Sequence, residues 1–254
     1  MNRSLAFLAI LAVTAHSSVA LDDEALTSIG RRVWQNECGG TREGLTSWNT
    51  GENFASLGIG HFIWYPKGVS GPFDESFPEL LRFFAANDVK LPAWLATGAS
   101  CPWRTRAEFL TASRDRQMVE LRDLLASTIR QQSRFLAQRM ERALPKLLAA
   151  APGNRREHVR TQFGRLLANG KGTFALIDYV NFKGEGTNPK ERYNGEGWGL
   201  LQVLEGMDGG GSPVLAFGDS AARVLARRVK NSPPDRKESR WLPGWTSRVN
   251  GYGG

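Results

Sequence analysis

The chain has 254 residues, 33 of them Lys or Arg against 25 Asp or Glu, giving a formal charge of +8. That length holds one large domain or two lobes, and three histidines make a multi-histidine metal site a poor expectation. A basic chain suits an anionic polymer such as cell wall, an outer-membrane surface or nucleic acid. No nucleic-acid recognition motif is present, and solubility alone accounts for the charge equally well.

The chain opens with Arg3, an apolar run from Leu5 to Ala15, and Ser18-Val19-Ala20, whose small-x-small form matches a signal-peptidase site. Cleavage is expected after Ala20, with export to the periplasm or beyond and a mature charge of +7 once Arg3 is lost. The alternative is an uncleaved anchor, although the run is short for a bilayer. No other stretch reads as a membrane span.

Leu26, Ile29, Val33 and Glu37 follow at spacings of three and four, so they share one face of a helix that Gly39 and Gly40 end. A carboxylate at the tip of an apolar stripe is partly desolvated, which favours the protonated form that a general acid needs. From Phe54 to Tyr65 the pattern alternates as a strand, with Leu57, Ile59 and Ile63 on one face and Ser56, Gly58 and Gly60 on the other. Gly58 and Gly60 let a bulky substrate approach the backbone. By the same alternation His61 lies on the apolar face, where a structural hydrogen bond outweighs catalysis.

Cys38 and Cys101 form an even pair in an exported chain, so a disulfide is expected, with two buried thiols as the alternative. A short helix is predicted around 77–86, and a long amphipathic helical region over 105–150 carries Phe109, Met118, Leu121, Leu125, Ile129, Phe135, Met140 and Leu144. Pro152-Gly153-Asn154 breaks it before a helix bearing His158 and Phe163, and an apolar helix follows over 174–182. The loop 185–197 holds Glu185, Glu191, Tyr193 and Glu196 ahead of Trp198. It reads either as a sugar-cleft wall or as a helix connection with an acidic cap.

Three blocks in this order carry a resemblance. Glu37, a polar loop and Ser56-Leu57-Gly58-Ile59-Gly60-His61 resemble the catalytic signature of phage-type lysozymes, a glutamate followed by Thr-x-Gly-x-Gly-His. Ala175 to Gly184, with Asn181-Phe182-Lys183-Gly184, is similar to the family's central buried helix. Asn231 to Trp245, with Arg236 at a proline turn, is similar to its closing stretch, whose turn arginine lies near the catalytic glutamate.

The resemblance implies an α+β, mainly α, lysozyme-like fold over 21–254, with a small β-hairpin lobe over about 37–70 and a larger helical lobe over about 71–254. It implies a peptidoglycan-cleaving muramidase that is monomeric, without cofactor or metal, and not integral to a membrane. Glu37 is then the general acid, Ser56 positions water or an N-acetyl group, and Glu52 is the provisional base. Gly58, Gly60, Tyr193 and Arg236 would bind substrate. Thr50 stands where the family has a loop aspartate, and goose-type lysozymes and lytic transglycosylases, which rely on one dominant glutamate, are similar in this respect. A lytic transglycosylase, a silent wall-binding protein and a chitosan-directed glycosidase are therefore carried as alternatives.

Overall fold

Asp22 begins the first helix by accepting a hydrogen bond from the Ala25 N–H at 2.7 Å. In the computed structural model, which describes residues 21–254 apart from Pro72 and Thr97, α1 runs Asp23–Cys38. The leader expected over 1–20 lies outside the described residues. Leu26, Ile29 and Val33 are buried as their spacing requires, and Gly39 closes the helix in the left-handed conformation, φ 60°. This face lies against α5.

Strands β1 (Thr46–Ser47), β2 (Ala55–Leu57) and β3 (Phe62–Trp64) form an antiparallel sheet in the order β1-β2-β3. Ser56 pairs with Ser47 on one side and Ile63 on the other. The single strand expected over 54–65 is thus a hairpin. Gly58 (φ 70°) and His61 (φ 49°) turn the chain, and the Ile59 N–H donates to Gln132 Oε1 on α5 at 2.9 Å. A Cβ on Gly58 would collide with that same oxygen, so only glycine lets the turn dock on α5. Because the turn breaks the alternation, the expected faces of residues 58–61 do not hold.

Helix α2 (Phe77–Ala86) occupies the expected span and buries Phe77, Leu80, Leu81 and Phe84. The region 105–150 is helical but divided into α3 (Arg106–Thr111), α4 (Arg116–Ser127) and α5 (Ile129–Ala150). Asp115 is extended at the first break. At the second, Thr128 leaves helical geometry with its hydroxyl donating to Leu124 O at 2.7 Å, a local bond that competes with regular helix continuation.

After α6 (Arg156–Leu167), Asn169 caps α7 (Gly170–Lys183) through bonds from the Lys171 and Gly172 N–H groups. Every residue from Gly172 to Val180 is buried. Each large apolar side chain there contributes about 1.5–3 kcal/mol, so α7 is the axis on which the helices pack. One of its buried residues is Asp178. Helices α8 (Leu200–Glu205), α9 (Pro213–Asn231) and α10 (Leu242–Asn250) follow, and a final turn buries Tyr252 beside Phe174 and Phe217. The molecule is mainly helical with one small sheet. No helix of the described residues is long and apolar enough to cross a membrane.

The expected disulfide is not formed. Cys38 and Cys101 are both buried free thiols, each turned to a carbonyl of its own neighbourhood. Cys38 Sγ lies 3.5 Å from Gly58 O, and Cys101 Sγ lies 3.5 Å from Trp103 O. Burial pushes each thiol up to about 12, with Glu37 adding to the rise at Cys38.

Candidate active site

Glu37 sits in the last turn of α1, where the apolar stripe of that helix reaches the sheet and α7. Its side chain is 13 % exposed, enough for the carboxylate to meet a ligand in the cleft it lines. It is not alone on an apolar surface, as its helix position predicts. Arg248 of α10 donates to Glu37 Oε1 from Nη2 at 2.6 Å, and Asn181 of α7 donates to the same oxygen at 3.3 Å. His61 Nδ1 approaches Oε2 at 3.6 Å.

Arg248 is held in turn by Asp178, which has no exposed surface. Two guanidinium bonds of 2.8 Å join them, Nε to Oδ2 and Nη2 to Oδ1. Tyr252 donates to Asp178 Oδ2 at 2.7 Å, and Asn36 donates to Oδ1 at 3.3 Å. The buried charge of Asp178 is thereby paired and hydrogen-bonded, as a desolvated carboxylate requires. The network fixes the Arg248 fork, and the fork fixes one oxygen of Glu37. The other oxygen faces His61.

The cleft encloses about 700 Å³. Ser56, Gly60, His61 and Ile63 line it from the sheet; Arg139, Arg142 and Lys146 come from α5, and Val180 to Lys183 from α7. Glu52 enters from the loop before β2 and Glu191 from the loop after α7. Burial pushes the Glu52 carboxyl up, and its bonds with Asn49 partly offset this. Burial also raises Glu191, with Asp74 and Glu185 adding to the effect. His61 is pushed down chiefly by burial, which favours the neutral ring, while Glu37 acts the other way.

Of the residues singled out in the sequence, Glu37, Glu52, Ser56 and Gly60 line one cleft. The structure places four residues otherwise than expected. Gly58 lies on the core side of the turn, its N–H bonded to Leu45 O at 2.8 Å, and it offers no backbone to the cleft. Tyr193 spends its hydroxyl on Glu238 Oε1 at 3.0 Å and packs against the ring of Trp198, which does line the cleft. Arg236 sits in an exposed turn, and the arginine bonded to Glu37 is Arg248. His61 belongs to the cleft, contrary to its expected place on the apolar face.

Sequence reasoning passed over Asp178, Arg248 and Lys183. A lone aspartate in the apolar run Ala175 to Val180 was the available signal, since a buried carboxylate needs a cation from elsewhere in the chain. Among the described residues, no group of three or more His, Cys, Asp or Glu side chains is gathered as a metal site would need. Compared with protein-family models, with curated proteins and with solved structures, the chain matches none.

Proposed function

We propose that the protein is an exported glycosidase that cleaves the glycan strand of peptidoglycan, on a lysozyme-like fold and with Glu37 as the general acid. The observation that carries this reading is the arrangement of Glu37. It is a partly accessible carboxylate, fixed from behind by Arg248 and Asn181, facing a cleft that a second carboxylate, Glu52, also lines. A strand of linked sugars needs an open cleft with polar groups and aromatic faces. Phe54, Phe73, Phe182 and Trp198 supply the faces.

In this mechanism Glu37 gives its proton to the glycosidic oxygen as the bond from the anomeric carbon breaks. Water then adds to that carbon, losing its proton to Glu52. Ser56, on β2 and lining the same cleft as both carboxylates, positions the water or a sugar N-acetyl group. Arg248 holds Glu37 in place. Its own charge is answered by Asp178, so it acts as a positioning residue.

A second division of roles is favoured by the burial that raises Glu52: this carboxyl is the alternative donor, with Glu37 as the stabilising carboxylate. The two assignments share a substrate and differ in pH dependence. Replacing Glu52 by Gln removes the limb of the pH–rate profile that falls as pH rises if Glu52 is the donor, and leaves that limb if Glu37 is.

Purified peptidoglycan incubated with the protein, followed by mass spectrometry of released fragments, tests the reading. Hydrolysis gives reducing ends. Fragments lighter by one water assign a lytic transglycosylase, and the absence of released glycan leaves the silent wall-binding alternative.

A further inference from the structure

Lys183 ends α7 inside the cleft wall, and among the described residues its ammonium meets no carboxylate and no other hydrogen-bond acceptor. It lies over ring faces instead, 3.4 Å from the centroid of Trp245 and 4.0 Å from that of Phe182. The nearby arginines are paired. Arg228 donates to Glu238 through Nε and Nη2, each at 2.8 Å, and packs 4.2 Å from the Trp198 ring. Arg248 is held by Asp178 and Glu37 and stacks 4.1 Å from Phe182. An amine walled by aromatic rings and open on one side to a ligand cleft is without a hydrogen-bonded anion among the described residues.

We propose that Lys183, flanked by Arg228, is a subsite for a carboxylate borne by the substrate, placed in the same cleft as Glu37. The inference rests on the peptidoglycan reading and deepens it. That polymer carries carboxylates in two positions, the lactyl group of strands stripped of peptide and the peptide stem itself. A neutral chitin oligomer has neither. The subsite therefore selects acidic glycan over neutral glycan.

The charges facing Lys183 come from four elements: Arg228 on α9, Glu238 in the turn before α10, Arg248 on α10 and Glu37 on α1. Burial, then Arg228, pushes the amine down to about 6, with Glu238 and Glu37 opposing. Carboxylate binding then draws a proton onto the amine, so affinity for an acidic ligand rises as pH falls from 8 to 6.

The test compares folded Glu37→Gln protein with Glu37→Gln/Lys183→Met by calorimetry at pH 7. The ligands are chitotetraose, the peptide-free tetrasaccharide of alternating N-acetylglucosamine and N-acetylmuramic acid, and the same tetrasaccharide carrying peptide stems. The second substitution is expected to weaken one or both acidic ligands about tenfold, the loss of one charge-assisted bond, and to leave chitotetraose unchanged. Loss on the peptide-free ligand assigns the lactyl carboxylate; loss confined to the peptide-bearing ligand assigns the stem. Equal loss on all three, or none on any, overturns the subsite.

A second measurement needs neither a foldable variant nor a glycan. The side-chain resonance of Lys183 is followed against pH with and without inorganic phosphate as the anion probe. An upward shift of its midpoint with phosphate supports the site even where no glycan binds, which separates failure of the subsite from failure of the glycosidase reading. An unmoved midpoint, together with no glycan binding, overturns it.

Discussion

Arg248 Nη2 and Glu37 Oε1 lie 2.6 Å apart although 211 positions separate them in the chain. The same guanidinium reaches the fully buried Asp178, so one arginine near the C-terminus ties α1, α7 and α10 together at the site. Removing its charge leaves Asp178 buried with only Tyr252 and Asn36 as donors. Arg248→Met is therefore expected to cost about 3–5 kcal/mol of stability, the range for breaking a buried pair from one side. Urea unfolding followed by circular dichroism measures it. A loss below about 1 kcal/mol would show that the network does not hold the fold.

The thiols give a prediction independent of function. Cys38 and Cys101 are buried and their thiols are raised to about 12, so alkylating reagents should react slowly with the native protein through mildly alkaline pH. In denaturant without reductant, intact-mass analysis should find both alkylated. If neither reacts until a reductant is added, the two are bonded to each other and are not free thiols.

Lys183 predicts the sign of a pH effect. Its folded-state value of about 6 lies below the ordinary lysine range, so between the two the unfolded chain holds a proton that the folded chain lacks. Stability then rises with pH across that window, by up to about 1.4 kcal/mol per pH unit from this residue. Below about 6 the cost of the buried charge is complete. Lys183→Met should flatten the difference between unfolding free energies measured at pH 6 and pH 9. An unchanged pH dependence would place Lys183 in water.

Much of the helical framework was legible because its signals are local. The stripe of Leu26, Ile29 and Val33 and the stop at Gly39 specify α1, and the apolar run of α2 bounds itself. The hairpin was not legible from alternation. Gln132, more than seventy positions away, captures the Ile59 N–H and rotates Gly58 to the core and His61 to the cleft. The site divides similarly. Glu37 and Ser56 were found by local pattern, whereas Arg248 reaches Glu37 only through the packing of α10 across α9, which no local spacing records. Arg236 was chosen for its turn, and that turn faces solvent.

Glu52 lines the cleft and accepts from Asn49 Nδ2 at 3.1 Å. If it activates water, Glu52→Gln lowers the yield of reducing ends from peptidoglycan by about 10²–10⁴-fold with the fold intact, the usual span for a general base. An unchanged hydrolytic rate removes Glu52 from the mechanism and leaves Glu37 as the sole carboxylate in the reaction.

If Glu37 moves the proton, its amide cannot take its place. Wild-type and Glu37→Gln proteins, matched for folding by circular dichroism and thermal unfolding, are incubated with purified peptidoglycan, and the released fragments are counted by mass spectrometry. The amide keeps the size of the side chain but cannot donate to the glycosidic oxygen. Glycan fragments are expected from the wild type, with a loss of about 10²-fold or more in the variant. A folded Glu37→Gln protein that releases fragments at the wild-type rate rules Glu37 out as the proton donor.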